Sequence, residues 1–228
     1  MPHLTVLQLD PDVPLDRFEG WLTAAGALLS PVLVPERGVP GADALGDGLV
    51  VLGGRMDAHA TSAHPWLAQV GDLMAQAVAI GVPVLGICLG HQLLAEALGG
   101  EVTVADPAGG EAGATRLSWT EAAASDPLLS DAVRAGSLVP ESHHDAVTRL
   151  PDGAVRLASS VVHPNQAFRV GSGVGVQFHP EAGPELVGRW KELDGEDPTA
   201  IVAALTAGDD EISAVGRAIA GAFARVCA

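Results

Sequence analysis

The first half of the chain alternates short apolar runs with longer stretches in which apolar residues recur at helical spacing. Strands are predicted where the apolar runs are continuous or nearly so, at 4–9, 31–35, 48–52 and 82–85. Helices are predicted where the spacing is helical, over 15–29, 65–80 and 91–98. The alternation predicts an α/β fold with an open, mostly parallel central sheet flanked by helices.

The pattern changes after Gly99 and Gly100 to shorter runs separated by turn residues. These runs predict an antiparallel extension of the sheet, with strands at 101–104, 114–119, 155–158, 166–169 and 174–178. Amphipathic stretches predict helices in the tail, at 186–193, 198–205 and 210–226. Because 228 residues suit one large α/β domain and no linker composition interrupts them, we expect a single domain over 1–228.

Composition and charge exclude several classes of protein. Apolar residues make up 48% of the chain, but no run is long enough to cross a bilayer, and the N-terminus lacks a signal-peptide pattern. The formal charge of −16 disfavours binding to nucleic acid or to an anionic membrane surface. Two cysteines, one of them next to the C-terminus, imply no disulfide framework. We therefore expect a cytoplasmic protein that binds neither nucleic acid nor membrane.

Cys88 is the first candidate for chemistry. It stands between two glycines, directly after the strand predicted at 82–85 and before the helix predicted at 91–98. Strand, glycine-flanked turn and helix make a nucleophile elbow, in which the helix N-terminus favours the thiolate form of cysteine. The alternative interpretation is a small buried apolar residue, which is what most free cysteines are.

His179 and Glu181 are the second candidate. The alternating strand predicted at 174–178 delivers both residues at its C-terminal end, two positions apart. A cysteine at one strand end, with a histidine and a carboxylate at another, supplies a nucleophile, a base and a group that orients the base. This combination favours the catalytic interpretation of Cys88.

Two segments together carry a specific resemblance. Gly-Ile-Cys-Leu-Gly-His-Gln at 86–92 and Gln-Phe-His-Pro-Glu at 177–181 resemble the class I, triad-type glutamine amidotransferases, especially stand-alone relatives of the amidotransferase domain of GMP synthase. The similarity runs from about residue 49 to residue 181. It implies a flavodoxin-like fold and cleavage of the glutamine side-chain amide through a thioester on Cys88, giving glutamate and ammonia.

The resemblance also implies roles for the residues around the nucleophile. Gly54 and Leu89 would donate backbone N–H groups to the oxyanion, and Gly53 and Gln92 would contact the substrate. On sequence alone, the glycine pair is equally an ordinary strand-to-helix turn. Arg55 stands where relatives often have proline, which leaves the backbone role intact.

The segment Ser142-His143-His144-Asp145 resembles the Ser-His-Gly-Asp wall of the glutamine pocket in GMP synthase-like proteins. All four residues are candidate substrate-binding residues, although His144 occupies a position where glycine is common. Adjacent histidines could suggest a metal, but no ligand spacing of a helical or finger type supports one, so we expect no metal site. The remaining histidines are expected to be structural at position 91 and on the surface or in loops at positions 59, 64 and 163.

The sequence predicts the type of reaction but not what uses the ammonia. It contains no phosphate-binding loop and no synthetase-like region, so we expect no cofactor, and any amination would need a partner synthase. A γ-glutamyl peptidase or hydrolase acting alone would share every catalytic residue. A non-catalytic partner-binding module stays open as an alternative of another class.

Overall fold

The computed structural model describes all residues from 1 to 228. Twelve strands, β1 to β12 in chain order, form the sheets: His3–Gln8, Leu28–Leu33, Gly48–Val51, Val84–Ile87, Glu101–Thr103, Glu111–Arg116, Ser118–Trp119, Leu138–His143, Ala146–Arg149, Val155–Ser159, Ala167–Val170 and Gly173–Val176. Nine α-helices, α1 to α9, connect and cover them: Arg17–Ala24, Val34–Arg37, Trp66–Ala79, Leu89–Ala97, Glu121–Ala124, Ser130–Ala135, Pro184–Leu193, Thr199–Ala207 and Asp209–Val226.

The central sheet has eight strands in the order β2-β1-β3-β4-β12-β11-β10-β7. The five strands from β2 to β12 are parallel, and β11, β10 and β7 add antiparallel pairs at one side. Two small antiparallel sheets, β5-β9 and β6-β8, lie outside it. The predicted α/β fold, with its mostly parallel sheet and antiparallel extension, is therefore confirmed.

The core forms on both faces of the sheet, as the unbroken apolar strands predict. Alternate residues of β1 enter different clusters, Leu4 and Val6 on one face and Leu7 on the other. The first cluster packs against α1 and α9, and the second against α3 and α4. Helices thus flank both faces and leave the strand ends open. No helix is both long and apolar enough to cross a membrane.

Two predicted elements near the N-terminus are wrong in their bounds. The helix predicted over 15–29 ends at Ala24, because Gly26 adopts a φ of 91° and turns the chain out of the helix. The strand predicted at 31–35 instead runs over Leu28–Leu33 beside β1, and a short helix with proline in its first turn follows.

Helix α4 approaches β3 so closely that a side chain at Gly90 does not fit. A Cβ atom there would lie 2.3 Å from the carbonyl oxygen of Val51. Alanine gains about 0.5–1 kcal/mol over glycine within a helix, whereas overpacking costs about 1–3 kcal/mol. We expect Gly90→Ala to lower the free energy of unfolding by roughly 1–2 kcal/mol, measured by urea denaturation.

Gly20→Ala is the matched control for that substitution. Gly20 lies in α1, is exposed, and has no atom within 4 Å of an added Cβ. It should stabilise the protein by about 0.5–1 kcal/mol through helix propensity alone. Equal effects of the two alanines would show that the contact with Val51 does not restrict position 90.

Candidate active site

Three adjacent parallel strands end at the same edge of the sheet and bring the candidate residues together. In the sheet β4 lies between β3 and β12, with Gly86 beside Val51 and Ile87 beside Val176. Cys88 therefore follows β4 directly, the glycine pair at 53–54 follows β3, and His179 follows β12. Crevices at such strand ends are where open α/β sheets bind ligands.

Cys88 adopts the strained turn that a nucleophile elbow requires. Its φ of 51° and ψ of −106° are rare for a residue with a side chain, and it caps the N-terminus of α4. The backbone N–H of Cys88 donates to Val176, 2.9 Å away, and its carbonyl accepts from Gln92. Hydrogen bonds on both sides of the turn therefore hold the thiol at the helix N-terminus. Cys88 as a whole residue is 7% exposed.

His179 lies between the thiol and a buried carboxylate. Its Nδ1 lies 2.7 Å from Oε1 of Glu181, and its ring and Cys88 both lie beside Gly53. Since a carboxylate only accepts, Nδ1 carries the proton and Nε2 is left for the thiol side. Burial lowers the pKa of His179, but the charges of Glu181 and Cys88 outweigh burial and raise it well above the usual range. His179 therefore stays an imidazolium up to a higher pH than a free histidine does.

Neighbouring elements fix the loop that carries this histidine and carboxylate. The backbone N–H of Arg17, at the start of α1, donates to the Glu181 carbonyl, and Asp16 accepts from the backbone of Gly183. The indole of Trp190, in α7, packs on the His179 ring with centroids 4.6 Å apart. Trp190 could not be predicted as a site residue, because no local pattern shows that a tail helix returns to the strand ends.

The glycine pair after β3 allows the backbone to approach the side chains of Cys88 and His179. A Cβ atom on Gly53 would lie 3.0 Å from Cε1 of His179 and 3.4 Å from Cβ of Cys88. The next residue but one, Arg55, donates its backbone N–H to Oδ2 of Asp10, 3.2 Å away. The close approach and this anchor place the loop beside the thiol.

A cavity of about 410 Å³ opens over Cys88. Eight of the candidate residues line it, and these are Gly54, Cys88, Gln92, Ser142, His143, His144, Asp145 and His179. Gly53, Leu89 and Glu181 lie outside its lining, behind or beside the residues that form it. Further charged groups at the wall were not predicted, namely Arg55, Asp57, Asp194 and Glu196.

Gln92 is built into the cavity wall. Its side-chain Nε2 donates to the carbonyl of Asp145 at 3.3 Å and to Oε1 of Gln177 at 3.2 Å. Both amide hydrogens are therefore committed within the protein, and the amide oxygen is the group left to accept a hydrogen bond.

The segment at 142–145 is the end of a strand, which the sequence analysis did not predict. Strand β8 pairs with β6, so that His143 lies opposite Glu111. His143 turns inward, where its Nδ1 lies 2.9 Å from the carbonyl of Asp145, while His144 is exposed. The adjacent histidines therefore do not converge on one point.

Glu111, Glu141, His143 and His163 form a buried group behind this wall, which we call the Glu–His cluster. His163 lies in a loop, as expected, but it is buried rather than at the surface, with 5% exposed. Burial and the charge of Glu111 raise the pKa of Glu141 well above its usual range. Glu141 was not predicted as a site residue, because an isolated acidic residue usually marks an exposed position.

The other histidines divide as their local sequence suggests. His91 is fully buried against Phe168, and burial lowers its pKa to about 3, so it is neutral and structural. His59 is exposed and pairs with Glu96, while His64 packs beside Trp66.

Comparison with known proteins places this geometry in a family. The family model for class I glutamine amidotransferases matches residues 39–189. The chain is 38% identical over 149 residues to a glutamine-hydrolyzing GMP synthase subunit from Halobacterium salinarum, a match that covers 62% of this chain and 70% of that protein.

Longer relatives and solved structures agree with this assignment. The chain is 37% identical over 134 residues to the glutamine-hydrolyzing GMP synthase of Helicobacter pylori, a match that covers 59% of this chain and 24% of that protein, about a quarter of its length. The crystal structure of a glutamine amidotransferase from Thermotoga maritima has the same fold, with a TM-score of 0.84, 22% identity, and coverage of 99% of this chain and 97% of that one. This chain belongs to the class I glutamine amidotransferase family.

Proposed function

We propose that the protein hydrolyses the side-chain amide of glutamine, through a thioester on Cys88, to glutamate and ammonia. The observation that carries the proposal is the elbow cysteine beside a histidine whose Nδ1 contacts a fully buried glutamate. The arrangement has the nucleophile, base and orienting group of a catalytic triad. Family membership supports the same chemistry.

The proposed reaction has two balanced steps. The Cys88 thiolate attacks the amide carbon, and the N–H groups of Gly54 and Leu89 stabilise the oxyanion. The His179 imidazolium gives its proton to the departing nitrogen, which leaves as ammonia and forms the γ-glutamyl thioester. His179 then takes a proton from water, hydroxide adds to the thioester, and glutamate leaves as the thiolate is restored. Glu181 orients the imidazole and stabilises its charge.

The cavity wall supplies the contacts for the amino-acid end of the substrate. Its volume of about 410 Å³ lies in the range of small-molecule sites, about 300–1,000 Å³. The amide oxygen of Gln92 accepts from the substrate ammonium, and Gly53 and the segment 142–145 complete the pocket. We assign no cofactor to this reaction and propose a cytoplasmic location. We also propose that the whole chain forms one domain, because Leu4 and Phe223 share one core cluster.

We infer that the ammonia passes to a synthase partner that docks at the strand ends. The relative in Halobacterium salinarum is named a subunit of GMP synthase, which supports a separate partner chain here.

A second function is favoured by the charged groups beyond the predicted pocket, Asp57, Asp194 and Glu196. A γ-glutamyl conjugate is larger than glutamine, and these polar groups could contact its additional part. A γ-glutamyl hydrolase acting alone would need such contacts.

Steady-state ammonia and glutamate release from the purified chain separates these functions. We expect slow hydrolysis of glutamine, with a kcat/KM below about 10⁴ M⁻¹ s⁻¹, that rises when the co-purified native partner is added, because docking completes the oxyanion hole. A higher kcat/KM on a γ-glutamyl dipeptide without a partner would favour the hydrolase. No release from any γ-glutamyl compound would leave a non-catalytic binding module.

A further inference from the structure

Only His143 of the Glu–His cluster lines the substrate cavity, and behind it the ligand atoms of Glu111, His143 and His163 converge. Nε2 of His143 lies 3.5 Å from a carboxylate oxygen of Glu111 and 3.5 Å from one of Glu141. A ligand atom of His163 joins those of Glu111 and His143 within 4.8 Å. Tetrahedral metal bonds of about 2.1 Å place ligand atoms about 3.4 Å apart. The spacing around His143 thus matches two edges of such a site.

The hydrogen bonds of both imidazoles leave one ring nitrogen of each histidine free to bind a metal. Nδ1 of His143 bonds to the carbonyl of Asp145, and Nε2 of His163 bonds to the carbonyl of Gly109 at 2.7 Å. A carbonyl only accepts, so these nitrogens carry the protons and the opposite nitrogens carry the lone pairs. Metal-binding histidines in proteins have this same arrangement, with the other N–H donated to a backbone carbonyl or carboxylate.

The buried polar atoms of the cluster lack the partners that would satisfy them. Nε2 of His143 and both carboxylate oxygens of Glu141 are buried without a hydrogen bond. The other glutamate is held in place, since its Oε2 accepts from Ser160 at 2.9 Å and from Gln166 at 2.5 Å. No arginine or lysine forms an ion pair with either carboxylate. Buried polar atoms left unpaired cost free energy, and a cation at their centre satisfies all of them.

We propose that Glu111, Glu141, His143 and His163 bind one divalent transition-metal ion of the zinc type. Imidazole nitrogen and carboxylate oxygen are donors that this class of ion accepts. The ion joins the start of β6, the end of β8 and the loop at 160–163. Because His143 also borders the substrate cavity, the ion fixes the wall that contains residues 142–145.

Zinc titration of the full chain tests this site. The Cys88→Ser variant is the reference protein, because it removes the thiol that could bind zinc by itself. We expect calorimetry to show one zinc per chain, and the melting temperature to rise by roughly 5–10 °C at zinc a hundredfold above its Kd. Metal analysis of protein purified without chelator should give the same ratio.

Two variants and a matched control decide the ligands. Glu141→Gln preserves shape and hydrogen-bonding groups but removes an anionic ligand, and His163→Gln removes an imidazole that lies outside the substrate cavity. Each should weaken zinc binding by at least about tenfold and abolish most of the melting shift. His59→Gln, at an exposed histidine paired with Glu96, should leave both unchanged. Absence of zinc binding by the reference protein, or equal binding by Glu141→Gln, would overturn the proposal, whether or not the wild-type chain hydrolyses glutamine.

Discussion

Replacing Cys88 with serine should abolish ammonia release from glutamine while leaving the fold intact. The substitution keeps a small side chain at the elbow but removes the only side chain placed to form the thioester. Losing the nucleophile of a triad costs as much as losing the whole triad, so we expect kcat to fall at least about 10⁴-fold. Ammonia release measures the effect, and an unchanged melting temperature shows that the fold is kept.

Cys227→Ser is the matched control for this loss. Cys227 is buried in the core at the end of α9, and burial raises its pKa to about 12, so it is unreactive at neutral pH. Its replacement should leave turnover unchanged. A glutamine analogue that carries a diazo ketone should label Cys88 in the wild-type chain, and mass spectrometry that found the label on Cys227 alone would contradict the assignment.

The elbow was predictable because its signal is local. An apolar run, two glycines around Cys88 and a helical pattern lie within about ten residues, and the backbone there follows the predicted turn. The meeting of Cys88 with His179 was predictable as well, since parallel strands end at one edge of a sheet. In this chain β4 and β12 are neighbours, which places the two residues together.

What the sequence did not predict depends on contacts between distant segments. Strand β8 carries proline and polar residues and lacks clear alternation, and it becomes a strand because it pairs with β6. The pairing buries Glu141 and His143, which look like surface residues in the sequence. Trp190 reaches the His179 ring from a helix that no local pattern assigns to the site. Strand β2 begins earlier in the chain than predicted, because Gly26 ends the preceding helix early.

His179→Ala should lose most of the turnover, and Glu181→Gln should lose less. Alanine removes both the proton donor and the base, so we expect a fall in kcat of at least about 10³-fold. Glutamine at 181 keeps a hydrogen-bonding group near Nδ1 but removes the charge that stabilises the imidazolium. We therefore expect kcat of Glu181→Gln to stay at least roughly tenfold above that of His179→Ala. The control is the exposed His59–Glu96 pair, where His59→Ala and Glu96→Gln should leave kcat unchanged.

The pH dependence gives a readout that loss of stability would not produce. In the wild-type chain the Glu181 carboxylate contributes to the raised pKa of His179, so the imidazolium persists as pH rises and is lost only above that raised value. Glu181→Gln removes this contribution, and the basic limb of the kcat/KM profile should therefore move to lower pH. A variant with reduced activity but an unshifted basic limb would show that Glu181 does not act through the charge of His179. Wild-type activity in both His179→Ala and Glu181→Gln would exclude the pair from the reaction.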